Sequence, residues 1–106
     1  MDWVKIFESA NDMQKRLTNN RPQLLVVRGK RICLVKREDQ LLAVQDSCTH
    51  NSESLSKGSI NYLGEIICPL HGYVFDLKTG RECSQRSADL AIYPMRVDET
   101  GVFIGL

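Results

Sequence analysis

Apolar and polar positions alternate along most of this chain in short runs, the two-residue period of half-buried strands. Residues 3–7 (Trp-Val-Lys-Ile-Phe) form a first such run. Residues 23–28 and 31–36 are apolar stretches on either side of Gly29-Lys30, which predicts a hairpin. Glu38-Asp39 turns the chain into residues 41–45. Later strands are expected over residues 65–67, 92–97 and 102–104, the last two joined through Asp98-Glu99-Thr100-Gly101, with turns marked by Gly58, Gly64, Gly80 and Gly101. Strand and turn signals recurring about every 8–12 residues predict an all-β fold, a small antiparallel sandwich or barrel. One stretch departs from this pattern. Between residues 9 and 20, Ser9 or Asn11 is placed to cap a short helix carrying Met13 and Leu17 on one face, an edge cover whose alternative is a polar loop. Asn19, Asn20 and Pro22 end it.

Composition narrows the class. The chain has 106 residues, 42% hydrophobic and 25% charged, the profile of one ordinary globular domain spanning residues 1–106, without repeat, linker or low-complexity tract. A net charge of +1 and the lack of any basic run argue against nucleic-acid binding. No segment approaches the ~20 apolar residues of a membrane-spanning helix, so no membrane association is expected. The opening MDWVKIFESAND lacks the basic start and apolar stretch of a signal peptide. Four cysteines without an export signal point to the cytoplasm, where thiols stay reduced.

The chemistry is concentrated in one place. Both histidines and two of the four cysteines fall within Cys48-Thr49-His50 and Cys68-Pro69-Leu70-His71. Soft sulfur and imidazole donors at this spacing signal a metal site. A zinc finger usually takes a cysteine pair from one arm and a histidine pair from the other. Here each arm is mixed, which suits a binuclear centre clamped between two loops: Cys48 and Cys68 on one iron, His50 and His71 on the other, as in a Rieske [2Fe–2S] cluster. Zinc held by the same four residues is the alternative. The arms follow residues 41–45 and 65–67, so a cluster-binding subdomain at about residues 46–76 is expected. Gly72 supplies a positive φ or a close backbone approach after His71, and Pro69 removes one N–H from the second loop. Cys33 reads as a small buried hydrophobe and Cys83 as a bystander thiol. Phe75, Leu77, Ile92 and Tyr93 read as core. Tyr73 and Leu70 flank a ligand; either could sit at an exposed tip or pack half-buried.

The CxH and CPLHG arms together resemble those of the Rieske ferredoxin family. Leu55-Ser56-Lys57-Gly58 is similar to that family's LSxG. His71-Gly72 followed by Phe75-Asp76-Leu77-Lys78-Thr79-Gly80 is similar to its HGxxFDxxTG, and residues 90–97 (LAIYPMRV) to its late strand. The similarity runs from about residue 24 to the end. It implies a [2Fe–2S] cluster on Cys48, His50, Cys68 and His71. It also implies a one-electron carrier, itself no enzyme, between a flavin- or NAD(P)H-linked reductase and an oxygenase or similar acceptor. The alternatives are a zinc-binding structural or regulatory module, or the small electron-transfer subunit of a multicomponent enzyme such as a nitrite reductase. High-potential members of the family carry a loop disulfide where this chain has Glu53 and Leu70. Tyr73 stands where they have a serine, and Phe75 lacks the hydroxyl of their tyrosine. Fewer hydrogen bonds to the cluster imply a potential in the lower part of the Rieske range. With little charge for steering, docking as a monomer is expected around His50, His71, Leu70 and Glu53.

Overall fold

The computed structural model describes residues 1–106. Ten strands and one helix follow in the order β1 (Trp3–Phe7), α1 (Ala10–Arg16), β2 (Gln23–Val27), β3 (Lys30–Arg37), β4 (Gln40–Gln45), β5 (Ser59–Ile60), β6 (Glu65–Ile67), β7 (Val74–Asp76), β8 (Ile92–Tyr93), β9 (Met95–Asp98) and β10 (Gly101–Gly105), with a single 3-10 turn at Leu55–Lys57. They form three sheets, ordered β1-β10-β9, β2-β3-β4-β8 and β5-β6-β7. Every pairing between these strands is antiparallel. The expected all-β antiparallel architecture with one short helix is what the chain adopts.

The β2-β3-β4-β8 sheet separates two cores, and β3 explains how. Its Ile32-Cys33-Leu34-Val35 run is buried along its whole length. Because side chains alternate faces, Ile32 and Leu34 pack into one core with Met13, Leu17, Val102 and Ile104. Cys33 and Val35 enter the other core with Cys48, Leu55, Ile66, Cys68, Phe75, Leu77 and Leu90. β4 repeats the device, with Leu41 and Ala43 on the first side and Val44 on the second. One continuous apolar run therefore serves both the base of the protein and the region beneath the two cysteine–histidine arms.

The helix forms as its sequence directs. Ser9 is the N-cap, its side chain accepting from the Asp12 N–H at 3.0 Å. Arg16 donates to Asp12 at 2.8 Å one turn away. Met13 and Leu17 are buried against the base core.

Two expectations need correction. The strand expected over residues 92–97 divides at Pro94 into β8 and β9, which belong to different sheets. Proline has no N–H to continue a ladder, so the chain changes partners there. With that division Ile92, expected in the core, is 46% exposed on the short strand at the sheet edge, and Tyr93 is only partly buried. The hairpin turn after β2 lies at Arg28-Gly29, both at positive φ, and Lys30 already belongs to β3. Gly58 brings the 3-10 turn against β6: a Cβ there would meet the Ile67 carbonyl oxygen at 2.1 Å.

Candidate metal centre

The two arms close in the same way. In the first, the Cys48 N–H donates to the Glu53 carbonyl at 2.9 Å; in the second, the Cys68 N–H donates to the Tyr73 carbonyl at 2.7 Å. Each cysteine thus reaches the carbonyl five residues ahead, and the intervening loop projects from the sheet. The first loop is further pinned by a Ser47–Ser54 bridge and by the Ser52 N–H to Cys48 carbonyl bond of 2.8 Å. Asp46 lies beneath it, 1% exposed, accepting from Ser54 Oγ at 2.5 Å and the Ser56 N–H at 2.8 Å. The second loop is the tip of the β6–β7 hairpin. Its return needs two left-handed residues in succession, His71 (φ 70°) and Gly72 (φ 67°). A non-glycine residue held there is a strained position of the kind that collects at functional sites.

The four candidate ligands divide by burial. Cys48 and Cys68 are 2% and 1% exposed and belong to the same buried core. Burial, followed by the neighbouring Cys48, pushes the Cys68 thiol up, so a thiolate there calls for a cation beside it. His50 and His71 are exposed, with ring centres 5.5 Å apart and planes at 73°. A thiol pair therefore lies inside and an imidazole pair outside. Two pairs of donors of different softness fit a binuclear centre, in which each metal takes two protein ligands. Asn51 ties the arms together, its Nδ2 donating to the Leu70 carbonyl at 3.5 Å and its Oδ1 lying 3.9 Å from Cys68 Sγ.

The other cysteines stay apart. Cys33 is fully buried in β3, and that burial, with Asp46 nearby, holds its thiol protonated. Cys83 is exposed and donates to Glu65 at 3.0 Å; desolvation and that carboxylate push its thiol up to about 11. All four cysteines are free, and no disulfide braces the loops. Leu70 is 44% exposed at the tip.

A third loop, residues 82–90, supports the arms, and it escaped the sequence reading. Thr49 Oγ1 donates to the Ala88 carbonyl at 2.6 Å and lies 3.0 Å from Ser87 Oγ. Tyr73 is half-buried and stacks on the His50 ring, with centres 3.8 Å apart and planes at 8°. The Arg86 guanidinium covers Tyr73 at 3.8 Å. Glu82, fully buried, accepts from Arg86 Nε at 3.2 Å and from the Arg86 and Ser84 backbone N–H groups at 2.7 and 3.1 Å. Burial alone would raise the Glu82 carboxyl, but Arg86 and these N–H groups outweigh it and hold it at about 2. The sequence signal was a Glu82–Arg86 pair at i,i+4 spacing outside any helix.

A largely antiparallel β protein with paired thiols beneath paired imidazoles fits the class of mixed-ligand binuclear iron–sulfur proteins. Comparison with known proteins makes the class specific. The family profile for the Rieske [2Fe-2S] domain matches residues 2–94. The ferredoxin component of the naphthalene 1,2-dioxygenase system of Pseudomonas putida is 34% identical over 83 residues, 77% of this chain and 79% of that one. The 3-phenylpropionate/cinnamic acid dioxygenase ferredoxin subunit of Shigella boydii serotype 4 is 34% identical over 76 residues, 71% of this chain and 72% of its own. The solved ferredoxin of carbazole 1,9a-dioxygenase from Nocardioides aromaticivorans IC177 shares the fold, with a TM-score of 0.83 at 24% identity over 99% of this chain and 98% of that one. This chain belongs to the Rieske [2Fe-2S] domain family, and its cofactor is a [2Fe–2S] cluster.

Proposed function

We propose that this chain is a one-electron carrier that passes electrons from a flavin- or NAD(P)H-linked reductase to an oxygenase. Residues 1–106 would act as one domain, with the cluster-binding subdomain at about 46–76. Cys48 and Cys68 would hold one iron and His50 and His71 the other. When bound, the cluster supplies reversible uptake of a single electron. The observation that carries the reading is the inside–outside division, with buried thiols (2% and 1% exposed) beneath exposed imidazoles. The thiols sit in the apolar core with Leu55, Ile66 and Phe75, which excludes water from the sulfur side. The exposed imidazoles, beside exposed Leu70, form the surface that a partner can approach closely.

The oxygenase partner is inferred from relatives. The Pseudomonas putida and Shigella boydii proteins are ferredoxin parts of dioxygenase systems. A chain 26% identical to this one, with a TM-score of 0.80, was solved in a complex of reduced oxygenase and oxidised ferredoxin in carbazole 1,9a-dioxygenase. No helix is long and apolar enough to cross a membrane, and four free cysteines suit a reducing compartment, so we place the carrier in the cytoplasm.

The test is iron and acid-labile sulfide analysis, with the spectrum of the dithionite-reduced protein, for the parent and for Cys48→Ser and His71→Ala. The parent should hold two irons and two sulfides and accept one electron. Each variant should lose that centre. A colourless parent loaded with zinc, or variants that keep the parent spectrum, would overturn the ligand assignment.

A further inference from the structure

The stack against the His50 ring has no role in the ligation just described. His50, Tyr73 and Arg86 lie in sequence, the two rings 3.8 Å apart and the guanidinium 3.8 Å from the Tyr73 centre. Both neighbours cannot occupy one face of the tyrosine, so His50 and Arg86 flank it. Two such spacings put the guanidinium within 7.6 Å of the His50 ring centre. The stack is held rather than free. Glu82, with no exposed surface, grips both the side chain and the backbone N–H of Arg86. Gln85, at φ 56°, turns the loop so that this is possible, its own N–H bonding to the Glu82 carbonyl at 2.9 Å.

We propose that Arg86 is a positioning residue for the histidine side of the cluster: through Tyr73 it fixes the plane of the His50 ring, and its charge favours the reduced state. The inference rests on His50 being an iron ligand.

The physical grounds are general. Groups behind a metal-ligating histidine orient the ring and tune the metal. A planar guanidinium stacks on an aromatic face, where an ammonium makes only a point contact. Reduction adds a negative charge to an iron–sulfur centre, so a nearby fixed cation stabilises the reduced form, and the potential depends on such local charge. The chain places one cation there and anchors it from below with a buried carboxylate. Loss of Arg86 removes one positive charge and leaves Glu82 without its counter-ion, a net change of one unit that disfavours reduction. Glu82 keeps its bonds from the Ser84 and Arg86 N–H groups in such a variant, so the loop retains its shape. A pair that merely stapled the loop would alter stability and leave the potential alone.

The test uses the purified, cluster-loaded full chain and compares the parent with Arg86→Gln, Arg86→Lys and Tyr73→Leu. The readouts are the midpoint potential and the electron paramagnetic resonance g-values of the reduced state, which report ligand-ring orientation. Arg86→Gln should lower the preference for the reduced state at least threefold, roughly 28 mV at 59 mV per decade. Arg86→Lys should lose less potential while still shifting the g-values, because it keeps the charge and loses the planar stack. Tyr73→Leu, which removes the ring between them, should shift the g-values at least as far as Arg86→Lys, and parent g-values there would overturn the relay through Tyr73. Arg86→Gln with parent potential and g-values would overturn the role of Arg86. If that variant fails to retain its cluster, Arg86→Lys decides, and parent g-values there overturn the positioning claim. A parent without iron and sulfide would instead overturn the ligation on which the inference rests.

Discussion

Asp46→Ala removes the carboxylate beneath the first arm, and its cost can be worked from the contacts. Asp46 is 1% exposed and accepts two direct hydrogen bonds, from Ser54 Oγ at 2.5 Å and the Ser56 N–H at 2.8 Å. Hydrogen bonds to a charged group are each worth roughly 1.5–3 kcal/mol net, so the pair contributes about 3–6 kcal/mol. Water entering the vacated space can bond Ser54 Oγ and the Ser56 N–H instead, returning about half of that. Arg31 is 3.5 Å away, but its side chain is 58% exposed and adds little. The balance is a loss of about 2–3 kcal/mol, concentrated where the loop must open to release its contents. At 1.36 kcal/mol per decade this means release roughly 30- to 150-fold faster. The assay is the decay of visible absorbance in excess iron chelator at fixed temperature, with far-ultraviolet circular dichroism to show that the sheets remain. Asp46→Asn keeps one acceptor oxygen for the Ser56 N–H and turns the other into an NH2 that the Ser54 hydroxyl can accept, so it should cost about 1 kcal/mol, roughly fivefold in rate. If Asp46→Ala released its cluster within twofold of the parent rate, the carboxylate would not be what holds the arm closed.

Other expectations are equally direct. Gly80 has φ 79°, and a Cβ there would meet the Leu90 carbonyl oxygen at 2.2 Å, so Gly80→Ala should cost at least about 2 kcal/mol; a parent-like unfolding midpoint would contradict this. Folding holds the Glu82 carboxyl at about 2 against an ordinary 4.5, so its contribution is complete above pH 4.5 and is lost as pH falls toward 2. The stability advantage of the parent over Glu82→Gln should therefore shrink across that window, and a constant difference in urea unfolding would refute the linkage. With all four cysteines free and Phe75 in place of a tyrosine, the midpoint potential should lie in the lower part of a Rieske range of about −150 to +300 mV; a redox titration near +300 mV would be incompatible with this.

The chain's order of strands and its candidate chemistry could be read before any coordinates because both are local. Ile32 to Val35 announces a strand buried on both faces, and Ser9 with Met13 and Leu17 announces a capped helix, through spacings of a few residues. The two cysteine–histidine arms were visible for the same reason, each donor pair lying within one short loop. Pro94 was equally visible, but its consequence was not. Which sheet each half of residues 92–97 joins depends on partners β4 and β10, distant in the chain, which is why the local pattern places Ile92 in the core and the fold does not.

By itself the sequence determined the antiparallel β class, the residue types at the arms and the likeness to a known family. Only the tertiary structure decided which donors are buried and which exposed, that Tyr73 from one arm lies against His50 of the other, and that Arg86, on Glu82, completes the stack. Local patterning follows from the geometry of one strand or loop. Contacts between loops depend on how three sheets pack around two cores, and no spacing along the chain encodes that distance.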